Sequence, residues 1–320
     1  LLCAICYIIF LCVIIFVVYA QIERGLKMKR YPIEKTKNIC LMGHSGDGKT
    51  SLAEAIMFMT KATDRLGKIS EGNTVFDFDS EEIKRQASIS TAVSFCEWNG
   101  YKLNIIDAPG YFDFEGEVLQ AVKASDAAVI LVNGKSGVDV GTIRAFKIAK
   151  ENNLPVMFFV SKLDEPESDF YKVLAQLKEN FGAGVAPVEV PIVADGKLKG
   201  YLNLVSMKSK SYKSGVEEII ELPVYIKDTV EEMHNNIYEA VAQTSEELME
   251  KYFAGETFEL REIIPAIHQG ILQRDIFPVL CGAAVVPGDT LFLLDVLSEY
   301  LPSAADRGSW ETQSGEKIKV

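Results

Sequence analysis

The chain has 320 residues, 48% apolar and 24% charged, an ordinary globular composition with room for one large or two modest domains. Its formal net charge of −12 repels phosphate backbones on average, which argues against holding free nucleic acid by charge alone and leaves docking to a ribonucleoprotein through a local patch or through further domains. Six cysteines are scattered as Cys3, Cys6, Cys12, Cys40, Cys96 and Cys281. The one close pair, Cys3 and Cys6, lies in an apolar run without a histidine or a second pair, so no metal or redox site is read there. The others read as buried thiols of a reducing compartment.

Leu1 to Ala20 carry no charge, proline or glycine, and the run is long enough for a transmembrane helix. Arg24, Lys27, Lys29 and Arg30 follow, so a span would leave the rest of the chain in the cytoplasm. The competing reading, preferred here, is translated upstream sequence. Met28 opens the segment that leads into the first strand, and Glu23-Arg24-Gly25 can be encoded by a purine-rich string of the kind a ribosome-binding site contains. A signal peptide fits less well, for lack of a small-residue cleavage site. Membrane contact is thus expected only if the first twenty residues are real, and a cytoplasmic location otherwise.

After Met28 strands and helices alternate. Asn38 to Met42 is a short apolar strand and Ser51 to Met59 has helical spacing. Ala92 to Asn99 and Tyr101 to Asp107 are strands joined by Asn99-Gly100, a strong hairpin signal. Ala127 to Asn133, Pro155 to Val160 and Phe277 to Cys281 are almost wholly apolar, as strands buried on both faces of a parallel sheet are. A helix follows near Thr290 to Tyr300. This predicts an α/β fold with a doubly wound, mostly parallel sheet. The alternation breaks between Phe181 and Glu256. There Val188 to Val193 and Leu198 to Val205 flank Asp195-Gly196 as a hairpin, and Val230 to Tyr252 is acidic and helical. The expected organisation is an apolar segment over 1–27, one α/β domain over 28–180 and 257–301, an α+β insertion over 181–256, and a linker over 302–320 that ends in the start of another strand.

Gly43-His44-Ser45-Gly46-Asp47-Gly48-Lys49-Thr50 fits G-x-x-x-x-G-K-[ST] between a strand and a helix, the context such a phosphate loop needs. Glycines let the backbone wrap phosphates, and amides at the helix start, through Ser51, face them. Lys49 is expected on the β- and γ-phosphates and the Thr50 hydroxyl on Mg²⁺. Asp107-Ala108-Pro109-Gly110 closes an apolar strand. Asp107 is positioned to hold Mg²⁺ through water, and the Gly110 amide to reach the γ-phosphate. Ser161-Lys162-Leu163-Asp164 follows another strand. Asp164 is expected to accept two hydrogen bonds from guanine, which adenine cannot donate, with the Lys162 stem over the base. Gly282-Ala283-Ala284 offers backbone amides to the base, a weak signal by itself. His44 is read as a backbone element of the loop. His234 and His268 lie on helices without ligand-spaced partners.

These four motifs, in this order and spacing, resemble a translational GTPase, specifically elongation factor G. Arg85-Gln86-Ala87-Ser88-Ile89 aligns with the family's R-G-I-T-I switch segment, which implies that Ser88 stands where the Mg²⁺-binding threonine does. Ser245 to Tyr252 resembles the helix near the end of the family's inserted G′ subdomain. Leu301-Pro302-Ser303 resembles the close of its GTPase domain. The resemblance covers Met28 to Val320 and implies GTP and GDP as ligands, Mg²⁺ as cofactor, the ribosome as partner, a monomer, and domains II to V beyond the chain. It implies GTP hydrolysis, slow without the ribosome, with Lys49, Gly110 and Tyr111 at the reacting phosphate and a switch segment around Asp64 to Thr91. Four departures mark a divergent paralogue. Tyr111 replaces the histidine that positions water. Ser161 replaces the asparagine of N-K-x-D, which is expected to remove a polar brace of the base loop. Gly46 stands where the loop usually has aspartate, with Asp47 one step later. Ala87 and Ser88 replace isoleucine and threonine. Two alternatives stand beside translocation: a nucleotide-gated binding module with negligible hydrolysis, and a ribosomal protection or release-type GTPase.

Overall fold

The computed structural model describes residues 29–320 apart from 195–196, 214–215, 285, 287–288, 312–315 and 320. The apolar run over 1–20, with both of its readings, lies outside the described residues. Among the described residues no helix is long and apolar enough to cross a membrane. The chain divides after Pro32, and the unit Ile33–Val320 carries the architecture below.

The chain enters on β1 (Thr36–Gly43), passes through a glycine loop into α1 (Lys49–Met59), and reaches a short α2 (Ser80–Arg85). The hairpin β2 (Ala92–Trp98) and β3 (Tyr101–Asp107) turns at Asn99 and Gly100 with φ of 45° and 81°. Positive φ at both turn residues is what asparagine followed by glycine tolerates. Then come α3 (Glu115–Ala124), β4 (Ala127–Asn133), α4 (Val140–Glu151), β5 (Val156–Ser161) and α5 (Phe170–Phe181). A short β6 (Val185–Pro187) precedes β7 (Glu189–Ala194), β8 (Lys197–Asn203), β9 (Lys208–Lys213) and β10 (Val216–Ile219). The helices α6 (Lys227–Ala242), α7 (Glu246–Phe253) and α8 (Leu260–Gln273) follow, then β11 (Phe277–Cys281), α9 (Asp289–Glu299), β12 (Ser309–Glu311) and β13 (Lys317–Lys319).

The main sheet runs β2-β3-β1-β4-β5-β11-β6, parallel except for the antiparallel β2 edge. Burial explains its centre. Every residue of β5 is buried, as is every residue of β4 but Asn133. Such strands need cover on both faces, which βαβ crossovers supply. Here α1 and α9 pack on each other and on the β1–β3 side, while α4 packs on β4 and β1. Cys40, Cys96 and Cys281 are free and buried in this core. The inserted β-rich part is a separate antiparallel sheet, β10-β9-β8-β7. Its expected Asp195-Gly196 turn lies outside the described residues, and the flanking strands pair with Ala194 opposite Lys197.

Three features differ from the sequence reading. The chain leaves the parallel sheet only after Pro187, because Val185 pairs with Phe277. The helical stretch Val230 to Tyr252 is two helices. Thr244 Oγ1 turns back to the Val241 carbonyl at 2.7 Å, and the Ser245 side chain accepts the Leu248 amide at 3.2 Å, restarting the helix with a new N-cap. Strands β9 and β10 were not foreseen. The alternation of β9 sets lysine against serine rather than polar against apolar, and its inward Ser209 and Ser211 are buried. The Ser209 hydroxyl bonds the Ile220 carbonyl, which compensates its burial, while the buried Ser211 hydroxyl has no partner among the described residues.

The hairpin is pinned to α9 through one carboxylate. Asp295 Oδ1 accepts Trp98 Nε1 at 2.7 Å and Asn99 Nδ2 at 2.9 Å. Asp295→Ala leaves a half-buried indole N–H without its partner and is expected to lower the unfolding free energy by about 1–3 kcal/mol in urea denaturation. An unchanged midpoint would mean that the hairpin holds its place by sheet pairing alone.

Candidate functional site

The loop between β1 and α1 is built by steric exclusion. Gly43 has φ of 139°, and a Cβ there would stand 2.6 Å from the Leu131 carbonyl. Gly46 and Gly48 have φ of 90° and 92°, the left-handed region open to glycine. Gly48 is also the N-cap of α1 and makes no side-chain cap, so the helix's first amides, including that of Ser51, face the loop. Asp47 folds back inside the loop, its Oδ2 accepting the His44 amide at 2.9 Å. Burial, followed by the nearby Asp139 charge, pushes its carboxyl up to about 6.

Lys49 lies under this loop. Its Nζ donates to the Gly43 carbonyl at 3.0 Å and the His44 carbonyl at 2.7 Å. Burial lowers its pKa, and Asp107, Asp47 and Asp139 oppose that shift. One residue on, Thr50 Oγ1 donates to Asp107 Oδ2 at 2.7 Å and stands 3.1 Å from Ser88 Oγ. Ser88 Oγ in turn donates to Asp77 Oδ1 at 2.7 Å. Thr50, Ser88 and Asp107, far apart in sequence, therefore meet, and Asp77 joins them without having been foreseen. Burial raises Asp107 to about 7 and pushes Asp77 upward as well. Asp107 Oδ1 and Asp77 Oδ2 are buried without a hydrogen-bond partner. Two hydroxyl oxygens and two carboxylates, two of whose oxygens are orphaned, form a hard oxygen donor set of the kind a small divalent cation takes.

The switch segment is tied to α1 by Glu54, whose Oε1 accepts the amides of Val75 at 2.5 Å and Phe76 at 3.2 Å. Beyond Asp107 the chain runs against the phosphate loop. A Cβ at Gly110 would run into Lys49 Nζ and lie 2.8 Å from the Ser45 amide nitrogen, so only glycine fits. Tyr111 is half exposed at the mouth of a cleft lined by Phe112, Glu115 and Arg144. The Arg144 guanidinium sits 4.8 Å over the Phe112 ring and pairs with Glu115. His44 does more than lend its backbone: its ring meets Phe112 edge-on at 6.0 Å and stands 3.9 Å from the Asp139 carboxylate.

The third loop leaves β5 at Ser161. The brace expected to be lost there is present, for the buried Ser161 hydroxyl donates to the Asp47 carbonyl at 2.7 Å. Serine is short, but the two loops are close enough for it. Lys162 takes φ of 59°, and the Ser168 hydroxyl holds its carbonyl at 2.8 Å. Asp164 is exposed in a cleft of about 470 Å³ that also contains Tyr201 and Asp289. Gly282-Ala283-Ala284 lies beside this loop, with the Leu163 amide 3.5 Å from the Gly282 carbonyl. Two of its amides are already taken: Gly282 donates to the Val160 carbonyl at 3.0 Å and Ala283 to Asp289 Oδ2 at 3.0 Å. Ala284 is left as the one of the three whose amide has no acceptor seen among the described residues. His234 and His268 are structural, each with Nδ1 near a backbone carbonyl, Leu204 at 2.7 Å and Tyr300 at 2.8 Å.

A glycine loop between strand and helix, a buried lysine beneath it and the two loops at neighbouring strand ends define a P-loop GTPase fold carrying an inserted β-rich subdomain. Residues 34–303 match the family described as the elongation factor Tu GTP binding domain, and the chain belongs to that family. It is similar to a protein of Thermus thermophilus of known crystal structure, with 33% sequence identity and a TM-score of 0.80. The match covers 86% of this chain and 41% of that one, so this chain spans less than half of that protein's length.

The Ser161 contact is open to direct measurement. Ser161→Ala leaves a buried carbonyl of the phosphate loop with one partner fewer, and the expected loss of stability is about 1–2 kcal/mol in urea denaturation. A variant as stable as the wild type would show that the Asp47 carbonyl is equally well served by water.

Proposed function

We propose that the chain binds GTP and GDP with Mg²⁺ and hydrolyses GTP as the nucleotide switch of a ribosome-associated factor similar to elongation factor G. The observation that carries this reading is the convergence of Lys49, Thr50, Ser88, Asp107 and Gly110 on the uncapped start of α1. Anions bind at such a helix start because its first amides lack partners and the helix dipole favours negative charge there.

In this reading Lys49 exchanges its carbonyl partners for phosphate oxygens. The amides of Ser45, Gly46 and Gly48 to Ser51 hold the phosphates in fixed geometry, while the His44 and Asp47 amides brace the loop itself. Thr50, Ser88 and Asp107 are the residues that would hold Mg²⁺, with Asp77 behind Ser88. The ion, when bound there, would supply positive charge beside the phosphates. The Gly110 amide reaches the γ-phosphate, since a loose transition state asks for position and charge stabilisation more than for a strong base. Tyr111 orients the attacking water after swinging inward from its exposed position, which fits slow hydrolysis until the ribosome moves it. Asp164 reads guanine, with Lys162 stacked on the base, Ser161 holding the base loop to the phosphate loop, and Gly282, Ala283 and Ala284 closing the other side. The acidic surface supports docking to protein rather than to naked nucleic acid.

Asp164 supplies the test. Asp164→Asn is expected to shift preference from guanosine to xanthosine triphosphate, because an amide oxygen and N–H₂ match xanthine's donor and acceptor pattern. Competition binding measures it. Discrimination that stays as in the wild type would remove Asp164 from base recognition and with it the guanine reading.

A further inference from the structure

The inserted sheet touches the candidate base loop through buried polar contacts that phosphate chemistry does not use. Tyr201, on β8, is 4% exposed, and Asp289, the first residue of α9, is 5% exposed. The Tyr201 hydroxyl donates to Asp289 Oδ2, and the same oxygen accepts the Ala283 amide at 3.0 Å. One residue back, Gly282 is held to β5 by its amide on the Val160 carbonyl at 3.0 Å, and its own carbonyl faces the Leu163 amide at 3.5 Å. A Cβ at Gly282 would stand 3.0 Å from the Phe159 ring and 3.4 Å from Asp289 Cβ, so the segment is wedged between β5 and α9. A second tie comes from β7, where the buried Glu189 accepts the Cys281 amide on Oε2 at 3.4 Å. Carboxylates that touch the inserted sheet thus grip the chain on both sides of Gly282.

We propose that Tyr201 and Asp289 are positioning residues through which the inserted subdomain sets the rate of guanine-nucleotide release. The Tyr201 hydroxyl fixes the Asp289 carboxylate, the carboxylate fixes the Ala283 amide, and the Ala283 segment fixes the loop bearing Asp164. The inference rests on the guanine-nucleotide reading of the site. Hydrogen bonds to an ionised acceptor in a desolvated place are the strong ones. Removing either donor leaves the carboxylate under-solvated, and it then draws in water or a proton and releases the loop. A displacement of β8 by anything bound to the inserted sheet would reach the nucleotide by the same route.

The chain of contacts also has a pH signature. Asp289 faces Tyr201 from β8, Asp164 from the base loop, Glu189 from β7 and Cys281 from β11. Burial, the largest influence, raises Asp289 to about 7; the Tyr201 and Ala283 donors pull it down, and Asp164 pushes it up. Above that value the carboxylate accepts both donors. Below it the proton removes the charge, both bonds weaken, and release speeds up.

The test is the release of a fluorescent GDP from the full chain, followed by stopped flow on both sides of pH 7, with thermal unfolding recorded alongside. Tyr201→Phe and Asp289→Asn are each expected to speed release about ten-fold above neutral pH. Asp289→Asn should abolish the wild-type acceleration at lower pH. Tyr201→Phe should move that acceleration to higher pH, because the lost donor was holding Asp289 down. If Asp289→Asn fails to fold, Tyr201→Phe decides alone, since it keeps the ring and deletes one oxygen. Wild type that binds GDP while Tyr201→Phe releases it at the wild-type rate overturns the coupling and leaves the nucleotide reading standing. Faster release that only follows a lower unfolding temperature, with the pH profile unmoved, overturns it as well. Wild type that binds no GDP overturns the nucleotide reading itself.

Discussion

Lys49 carries a charge where water does not reach it, and two backbone carbonyls of its own loop take the place of solvent. Burial disfavours its charged form. The Asp107, Asp47 and Asp139 carboxylates oppose that, and burial raises Asp107 and Asp47 in turn, so the charges are held by one another. An arrangement of this kind is stable only if the groups cannot move apart. Much of the surrounding structure meets that requirement. Gly43 lets the loop lie against Leu131, Gly110 lets the next loop lie against Lys49, and β1 sits between β3 and β4, so Asp107 is set beside Thr50 by sheet register. Buried charges held this close, with two carboxylate oxygens left without partners, are the kind of arrangement that functional sites carry.

The same tightness joins the loops to one another. Ser161 links the base loop to the phosphate loop through the Asp47 carbonyl, and Gly282 links it to β5 and to the start of α9. Glu54 ties the switch segment to the helix that carries Lys49. Glu54 thus joins the segment before Ser88 to the phosphate-loop helix, while Asp289 joins the inserted sheet to the chain beside the loop bearing Asp164. The two halves of a nucleotide site thus have separate handles on one scaffold.

Much of this was legible in the sequence, and the illegible parts have a common cause. Strands β4, β5 and β11 announced themselves because residues buried on two faces must be apolar throughout. The phosphate loop announced itself because its glycines are dictated by backbone conformation, a local property. Strand β9 stayed hidden because its buried face is serine, which leaves a polar sequence, and the four-residue β10 is too short to show a pattern. The break at Ser245 does not show in the helical pattern of Val230 to Tyr252, although the resemblance to the family already sets Ser245 to Tyr252 apart as a helix, and its serine N-cap is a local signal of that start. At the site, Asp77 and Asp289 carry no motif. Their meaning lies in partners 11 and 88 residues away, Ser88 and Tyr201, that only the fold brings near. The sequence also misjudged Ser161, because the value of a short hydroxyl depends on a gap of a few ångströms that no residue pattern records.

The claim on which the rest depends is that the loop over Lys49 is a guanine-nucleotide site. Displacement of a fluorescent GDP from the purified chain, with Mg²⁺ present, by GTP and by ATP tests it most directly. The proposed role of Asp164 in accepting guanine's two donors predicts that GTP displaces the probe near equivalence, while ATP fails to do so even at about a thousand-fold excess. Equal displacement by ATP, or no binding of the probe at all, would contradict the account.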